Sequence, residues 1–353
     1  MSQLTPMRPG EELDIARLES YLRNVIPDLP ATSVQIWQFA AGRSNLTYLL
    51  SVGGQDYVLR RPPHGPVPPK AHDMVREYEW LVDIYPVFRW APKPIALCTD
   101  LSVLGSTFFL MEHRPGVLLE EALKAPGAYT PELGERISKI LVERLVDLHA
   151  VHWEHTGLES RVKPGGFLQR QVEGWIGRYQ RAKISDIPGD QELIQWLLDH
   201  VPPSPSPTII HYDYKLNNMV FAPDYRDVAG IFDWEMSTVG DPIADVAVAM
   251  SYWIQANDDE RMQNALHEKI TILPGFWSRD QWISEYARLS GRDLTHFPYY
   301  LTFAYFKLAV IVAQIYYRYH QGQTQDPRFA GMNQVAEWLV HYALATRPHL
   351  RQI

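Results

Sequence analysis

One stretch limits what this chain can become: Ile209-Ile210-His211-Tyr212-Asp213-Tyr214-Lys215-Leu216-Asn217-Asn218-Met219-Val220-Phe221. Apolar runs at its two ends read as short buried strands with a polar segment between them. A second run, Val228-Ala229-Gly230-Ile231-Phe232-Asp233-Trp234-Glu235, follows one turn later and ends in carboxylates. Functional side chains gather at such strand ends, on loops carried by a rigid scaffold. The first run has the form H-x-D-x-K-x-x-N, and its residue types suit phosphoryl transfer. Asp213 can accept the proton of an attacking hydroxyl, and Lys215 can neutralise charge on the moving phosphoryl group. Asn218 and Asp233 offer the hard oxygen atoms that Mg²⁺ prefers. Asp and Asn after a strand are also common turn formers. Four matching residue types at fixed spacing, with a carboxylate one hairpin later, favour the chemical reading.

The rest of the sequence supplies a setting for this stretch. Residues Glu11 to Val25 carry an amphipathic stripe of Leu13, Ile15, Leu18 and Leu22. Three strands are expected next, at Val34 to Ala40, Leu46 to Val52 and Tyr57 to Arg60, with Gly53-Gly54 as a hairpin turn. The turn Ala41-Gly42-Arg43-Ser44-Asn45 could lay backbone N–H groups over phosphates. On its own it is equally a plain hairpin turn. A Pro-rich loop from Pro62 to Lys70 leads to a helix over His72 to Tyr85, where Glu77 could pair with Arg60. Each of those charges could instead be solvated, the usual fate of Arg and Glu. After a strand at Thr107 to Met111 the pattern turns helical, with Thr130-Pro131 as a cap and first-turn pair. Asp241 is expected to cap a helix that Pro242 begins. A β-rich first third and an α-rich remainder imply an α+β chain of two lobes, residues 1–113 and 114–353.

Composition narrows the partners. The chain has 353 residues, enough for two lobes, and a formal net charge of −8. That charge argues against nucleic acid or an anionic membrane surface as the main partner. Cys98 is the single cysteine, which rules out an intrachain disulfide and a thiolate metal cluster and agrees with a cytoplasmic location. The first residues, Met1-Ser2-Gln3-Leu4-Thr5-Pro6, lack the apolar core of a secretory signal. Tyr299 to Tyr317 is apolar enough to imitate a membrane span but contains Lys307 and Gln314. It is expected to be a buried helix of the helical lobe.

The motifs His211, Asp213, Asn218, then Asp233-Trp234-Glu235, then Gly240-Asp241-Pro242 with Asp245, resemble the aminoglycoside phosphotransferase and choline kinase-like superfamily. The resemblance covers about residues 33–340. It implies a protein-kinase-like fold with a small β-rich N-lobe and a larger helical C-lobe. It also implies ATP and Mg²⁺ as cofactors and a small hydroxylated molecule as substrate. By this resemblance Gly42, Ser44 and Asn45 fall in the nucleotide loop, Arg60 at the nucleotide-contacting strand base, and Glu77 at its partner carboxylate. Met111 and Glu112 fall where adenine would dock. Arg60-Arg61-Pro62-Pro63 and Arg170-Gln171 with Trp175 resemble the subgroup of kinase-like domains found with acyl-CoA dehydrogenases, which points by analogy to a hydroxyacyl acceptor.

Two departures stand out. The usual strand lysine is Arg60 here, which keeps the charge but spreads it over a planar fork. Lys215 stands where many antibiotic kinases carry a different residue and protein kinases carry Lys; no long activation segment follows Asp233, which favours a small substrate over a protein. Two alternatives remain at this stage. One is a catalytically weak nucleotide-binding scaffold, supported by Arg60 and opposed by the intact Asp213, Asn218 and Asp233. The other is a metal-dependent hydrolase, which calls for more clustered histidines than the sequence offers. His211, Asp241 and Asp245 are expected to brace the loop, and Glu235 either to support the metal ligands indirectly, the favoured reading, or to be a metal ligand itself. Trp253, Tyr299, Tyr300, Phe303 and Tyr305 are either core or the lining of an acceptor pocket.

Overall fold

The computed structural model describes residues 4–40, 45–63, 72–123, 125, 127–163, 165–265 and 269–348. The chain divides into two compact units. One holds Met1–Ala128, Glu154–Leu158 and Leu216–Ser237; the other holds Tyr129–Trp153, Glu159–Lys215 and Thr238–Ile353. The division is not a single cut in the sequence. The hairpin after Lys215 packs with the residues of the first third.

The first unit is built on an antiparallel six-stranded sheet. Its strands are β1 (Leu4–Thr5), β2 (Gln35–Phe39), β3 (Leu46–Val52), β4 (Gln55–Arg61), β5 (Pro94–Cys98) and β6 (Phe108–Glu112), in the spatial order β1-β2-β3-β4-β6-β5. Between β3 and β4 the turn is the expected Gly53-Gly54. Both residues have positive φ, 57° and 85°, and Val52 pairs with Gln55. A side chain at Gly53 would also collide with Pro30, since an added Cβ lies 2.4 Å from the proline Cβ.

Strand alternation sorts the side chains of β3 and β4 onto two faces. Tyr48, Leu50, Val52 and Leu59 join one core with Leu18 and Leu22 of the helix Ile15–Val25. Arg60, one residue on from Leu59, therefore points to the other face. There the helix Met74–Ile84 presents Glu77. Asp73 caps that helix by accepting from the Arg76 N–H at 3.0 Å. The expected strands and helices are present with shifted ends: the first helix begins at Ile15, four residues later than its apolar stripe suggested, after Asp14 as N-cap. The first unit also contains the short hairpin of β8 (Met219–Phe221) and β9 (Val228–Ile231), reached after β7 (Thr208–Ile210) of the second unit.

The second unit is mainly helical. Its helices include Pro131–His149, Phe167–Ala182, Asp190–Asp199, Pro242–Tyr252, Arg279–Ser290, Phe297–His320 and Met332–Thr346. Thr130 caps the first of these, as expected, accepting from the Leu133 N–H at 3.3 Å. Strand β7 pairs antiparallel with β10 (Thr238–Gly240), which ties the start of the central stretch to the segment after Glu235. Asp241 caps the helix Pro242–Tyr252 and also accepts from the Tyr300 hydroxyl at 2.7 Å. The helix Phe297–His320 is the apolar segment noted in the sequence, and 67% of its most apolar window is buried. Burial is nearly complete from Phe297 to Val310 and gives way toward His320. Trp253, Tyr299, Tyr300, Phe303 and Tyr305 are all buried core residues.

Candidate active site

The sequence-derived residues fall into two clusters, one in each unit. In the first unit the centre is Arg60. Its Nε lies 3.0 Å from Glu77 Oε2, and its Nη2 donates to Asp233 Oδ1. Arg60 is 7% and Glu77 1% exposed, so the charges are not solvated, as the usual habit of Arg and Glu would have it. Burial lowers the guanidinium's basicity, but Asp233, Glu77 and Glu235 outweigh it and raise Arg60 above its ordinary value. Glu77 is pushed up from the usual carboxylate range, by burial first and then by its acidic neighbours Asp233 and Glu235, against the pull of Arg60. One cation thus serves several carboxylates. The neighbouring Arg61 lies on the opposite face, near Tyr48 and Glu11, with its pKa lowered by burial.

Asp233 follows β9 with φ at +66°, the left-handed region that costs energy for a residue with a Cβ. Trp234 secures this turn: it is fully buried, its indole N–H donates to the Ile231 carbonyl at 2.8 Å, and its ring meets Phe88 edge-on. Asn218 sits at the same open end of the hairpin, just before β8, where its carbonyl accepts from the Phe232 N–H at 2.8 Å. The two expected metal ligands therefore stand on adjoining ends of β8 and β9.

The Glu235 carboxylate meets Asn45 and, at 3.9 Å, the His72 ring. Its Oε2 accepts from Asn45 Nδ2 at 3.1 Å, while Asn45 Oδ1 lies 2.7 Å from His72 Nδ1. Arg76 donates to the carbonyls of Glu235 and Ser237, fastening this segment to the helix. Met111 is buried in β6 opposite Val58. The Glu112 carboxylate accepts from the Lys93 N–H and Arg114 Nε at 3.1 Å each, and its own N–H donates to the Lys93 carbonyl at 2.8 Å. Gly42 and Ser44 lie outside the described residues.

In the second unit Asp213 and Lys215 form an ion pair at 3.0 Å, each side chain 19% exposed. The Lys215 ammonium also stands 4.8 Å from the centroid of the Tyr252 ring. Asp245 fixes the backbone leading to Asp213, accepting from the N–H groups of His211 and Tyr212 at 2.7 and 2.8 Å. His149 Nε2 lies 3.1 Å from the same carboxylate, and His149 Nδ1 lies 2.6 Å from the Tyr286 hydroxyl. Burial would raise Asp245, yet the bonds from His149 and the backbone hold it below the usual carboxylate value. His211 is fully buried and receives the Asp213 N–H at 3.3 Å, the bracing role expected of it. Among the described residues no group of three or more His, Cys, Asp and Glu is arranged to hold a metal by itself.

The sequence model of the phosphotransferase enzyme family, APH, matches residues 35–279. The chain belongs to this family. Acyl-CoA dehydrogenase family member 11 of Gallus gallus is 34% identical over 325 residues, covering 89% of this chain and 41% of the relative. The chain thus spans less than half the length of that longer protein. A Ralstonia eutropha JMP134 protein provisionally named an aminoglycoside phosphotransferase superposes with a TM-score of 0.79 at 27% identity, over 95% of this chain and 98% of that one. Choline kinase from Cryptosporidium parvum Iowa II gives 0.63 at 14% identity over 94% and 95% of the two chains. A thermostable mutant of aminoglycoside phosphotransferase APH(4)-Ia, in ternary complex with ADP and hygromycin B, gives 0.57 at 15% identity over 94% and 98%. The fold is kinase-like, and the resemblance drawn from the motifs holds, including its acyl-CoA dehydrogenase branch.

The partners of three residues of this APH-family chain were not visible in its sequence. Arg76, His149 and Lys307 all bond to site segments from distant helices. Only Lys307 carried a signal, as a lone cation in an apolar run.

Proposed function

We propose that this APH-family chain is an ATP- and Mg²⁺-dependent phosphotransferase that moves the γ-phosphoryl group to a hydroxyl of a small molecule. The observation that carries the reading is the Arg60 cluster. A buried guanidinium stands at the position of the expected strand lysine, ion-paired with a helix carboxylate and hydrogen-bonded to the carboxylate after β9. Such an arrangement holds a cation rigidly enough to contact phosphates, and a planar fork suits their oxygens. It therefore counts against the scaffold alternative, which rested on Arg60 being a defective lysine.

Asp213 would accept the hydroxyl proton and aim the oxygen at phosphorus. Most of the catalysis in such a loose transition state comes from positioning and charge. Lys215, already paired with Asp213, would follow the charge on the transferred group. Asn218 and Asp233 offer hard oxygens on adjoining strand ends and fit a Mg²⁺ delivered with the nucleotide. When bound, that ion would neutralise phosphate charge. Asn45, Met111 and Glu112 remain proposed nucleotide contacts, together with Gly42 and Ser44. The ADP complex of the APH(4)-Ia neighbour supports nucleotide use. The name of the Gallus gallus relative supports a hydroxyacyl acceptor, free or CoA-linked.

An ADP-release screen of hydroxyacids, hydroxyacyl-CoAs, amino alcohols and aminoglycosides tests the reading. ADP formation that needs both Mg²⁺ and one hydroxyl class supports it. Phosphate release from ATP-free substrates would point to a hydrolase.

A further inference from the structure

Lys307 lies in the apolar helix Phe297–His320 and is 4% exposed. Its Nζ donates to the Tyr212 carbonyl at 3.2 Å and stands 3.6 Å from the centroid of the Tyr212 ring. The Trp175 ring is 5.4 Å away. Tyr212 has φ at +63°, a left-handed conformation that its side chain disfavours. Its N–H is held by Asp245 at 2.8 Å, and its ring meets Phe167 edge-on. The peptide unit between Tyr212 and Asp213 is gripped at both ends: its carbonyl by Lys307, and its N–H, which belongs to Asp213, by His211 Nδ1 at 3.3 Å. The orientation of that peptide sets the direction in which the Asp213 side chain leaves the backbone.

We infer that Lys307 is a positioning residue for Asp213, holding the Tyr212–Asp213 peptide in the orientation that presents the carboxylate. The inference rests on Asp213 being the base proposed above. An apolar side chain would fill this helix position without the cost of burying an amine. Burial lowers Lys307 to about 7, with Asp213 and Asp245 pulling it back up and Lys215 and Arg178 pushing it down. Tyr212, whose ring lies against it, has its own pKa raised by burial and is neutral in this range. An amine in either protonation state keeps N–H groups to donate to the Tyr212 carbonyl. The carboxylates of Asp213 and Asp245, however, feel its charge.

Lys307→Met in the full chain tests this with three readouts. Hydrogen exchange of the segment 209–215 should rise by about tenfold or more. The turnover number for ADP release should fall by about tenfold or more, with the nucleotide KM within about twofold. The unfolding midpoint should be kept or raised. Unchanged exchange and turnover would overturn the inference. So would an unfolded variant, or a joint fall of midpoint, kcat and nucleotide affinity, which marks a purely structural lysine. Should the wild-type chain release no ADP with any acceptor, the proposed reaction fails, and hydrogen exchange alone then decides whether Lys307 holds the loop.

Discussion

The Arg60 guanidinium bonds the Asp233 carboxylate although 173 residues separate them in sequence. The same guanidinium holds Glu77, so strand β4, the helix Met74–Ile84 and the turn after β9 share one buried cation. Arg60→Ala would leave two carboxylates without it. Breaking a buried ion pair this way costs about 3–5 kcal/mol, far more than the roughly 1 kcal/mol of an exposed pair. Chemical denaturation of Arg60→Ala is therefore expected to show a large loss of stability. Arg60→Lys should recover part of it, because the charge stays while the two-sided fork is lost. A midpoint equal to wild type in Arg60→Ala would mean that the cluster contributes nothing to the fold.

Asp245 accepts from two backbone N–H groups and lies beside His149. Asp245→Ala orphans buried donors, each worth about 1–3 kcal/mol. A loss of several kcal/mol is expected, or failure to accumulate as folded protein. Asp245→Asn, which keeps an acceptor, should lose less. Equal stabilities for the two variants would contradict the bracing role.

Much of this arrangement can be read from the sequence, and the unread part has a common cause. The β3–β4 hairpin is legible because Gly53-Gly54 and the apolar alternation around it act locally. Asp241 and Thr130 are legible as caps for the same reason. Strand β5, Pro94–Cys98, is not, since its run Pro-Ile-Ala-Leu-Cys has neither alternation nor a flanking turn pair and gains its pairing only from β6. The motifs give the residue types of the candidate site, but the partners of those residues arrive from helices far along the chain. His149 and Arg76 look like ordinary surface residues of amphipathic helices until the fold brings Asp245 and the Glu235 carbonyl to them.

Lys307 should also mark the pH dependence of stability. Its pKa is about 7 in the folded chain against an ordinary 10.5. The unfolded chain therefore binds more protons between those values, and stability rises with pH across that window. Below pH 7 the full penalty, a few kcal/mol, is present; above 10.5 it is gone. The difference in unfolding free energy between wild type and Lys307→Met, measured from pH 6 to 10, should shrink as pH rises. A constant difference would show that the amine is not depressed.

Metal binding gives a separate check. If Asn218 and Asp233 hold Mg²⁺, thermal stabilisation by Mg·ATP should be lost in Asp233→Ala and weakened in Asn218→Ala. Equal stabilisation of Asp233→Ala and wild type would remove Asp233 from the metal.

The most direct measurement is acceptor-dependent ADP release by wild type and by Asp213→Asn, each with nucleotide binding measured alongside. The substitution keeps size and hydrogen bonding and removes the carboxylate. Turnover is expected to fall by several orders of magnitude, on the order of 10²–10⁴, while Mg·ATP affinity stays near wild type. Turnover by Asp213→Asn within about tenfold of wild type would contradict the assignment of Asp213 as the base.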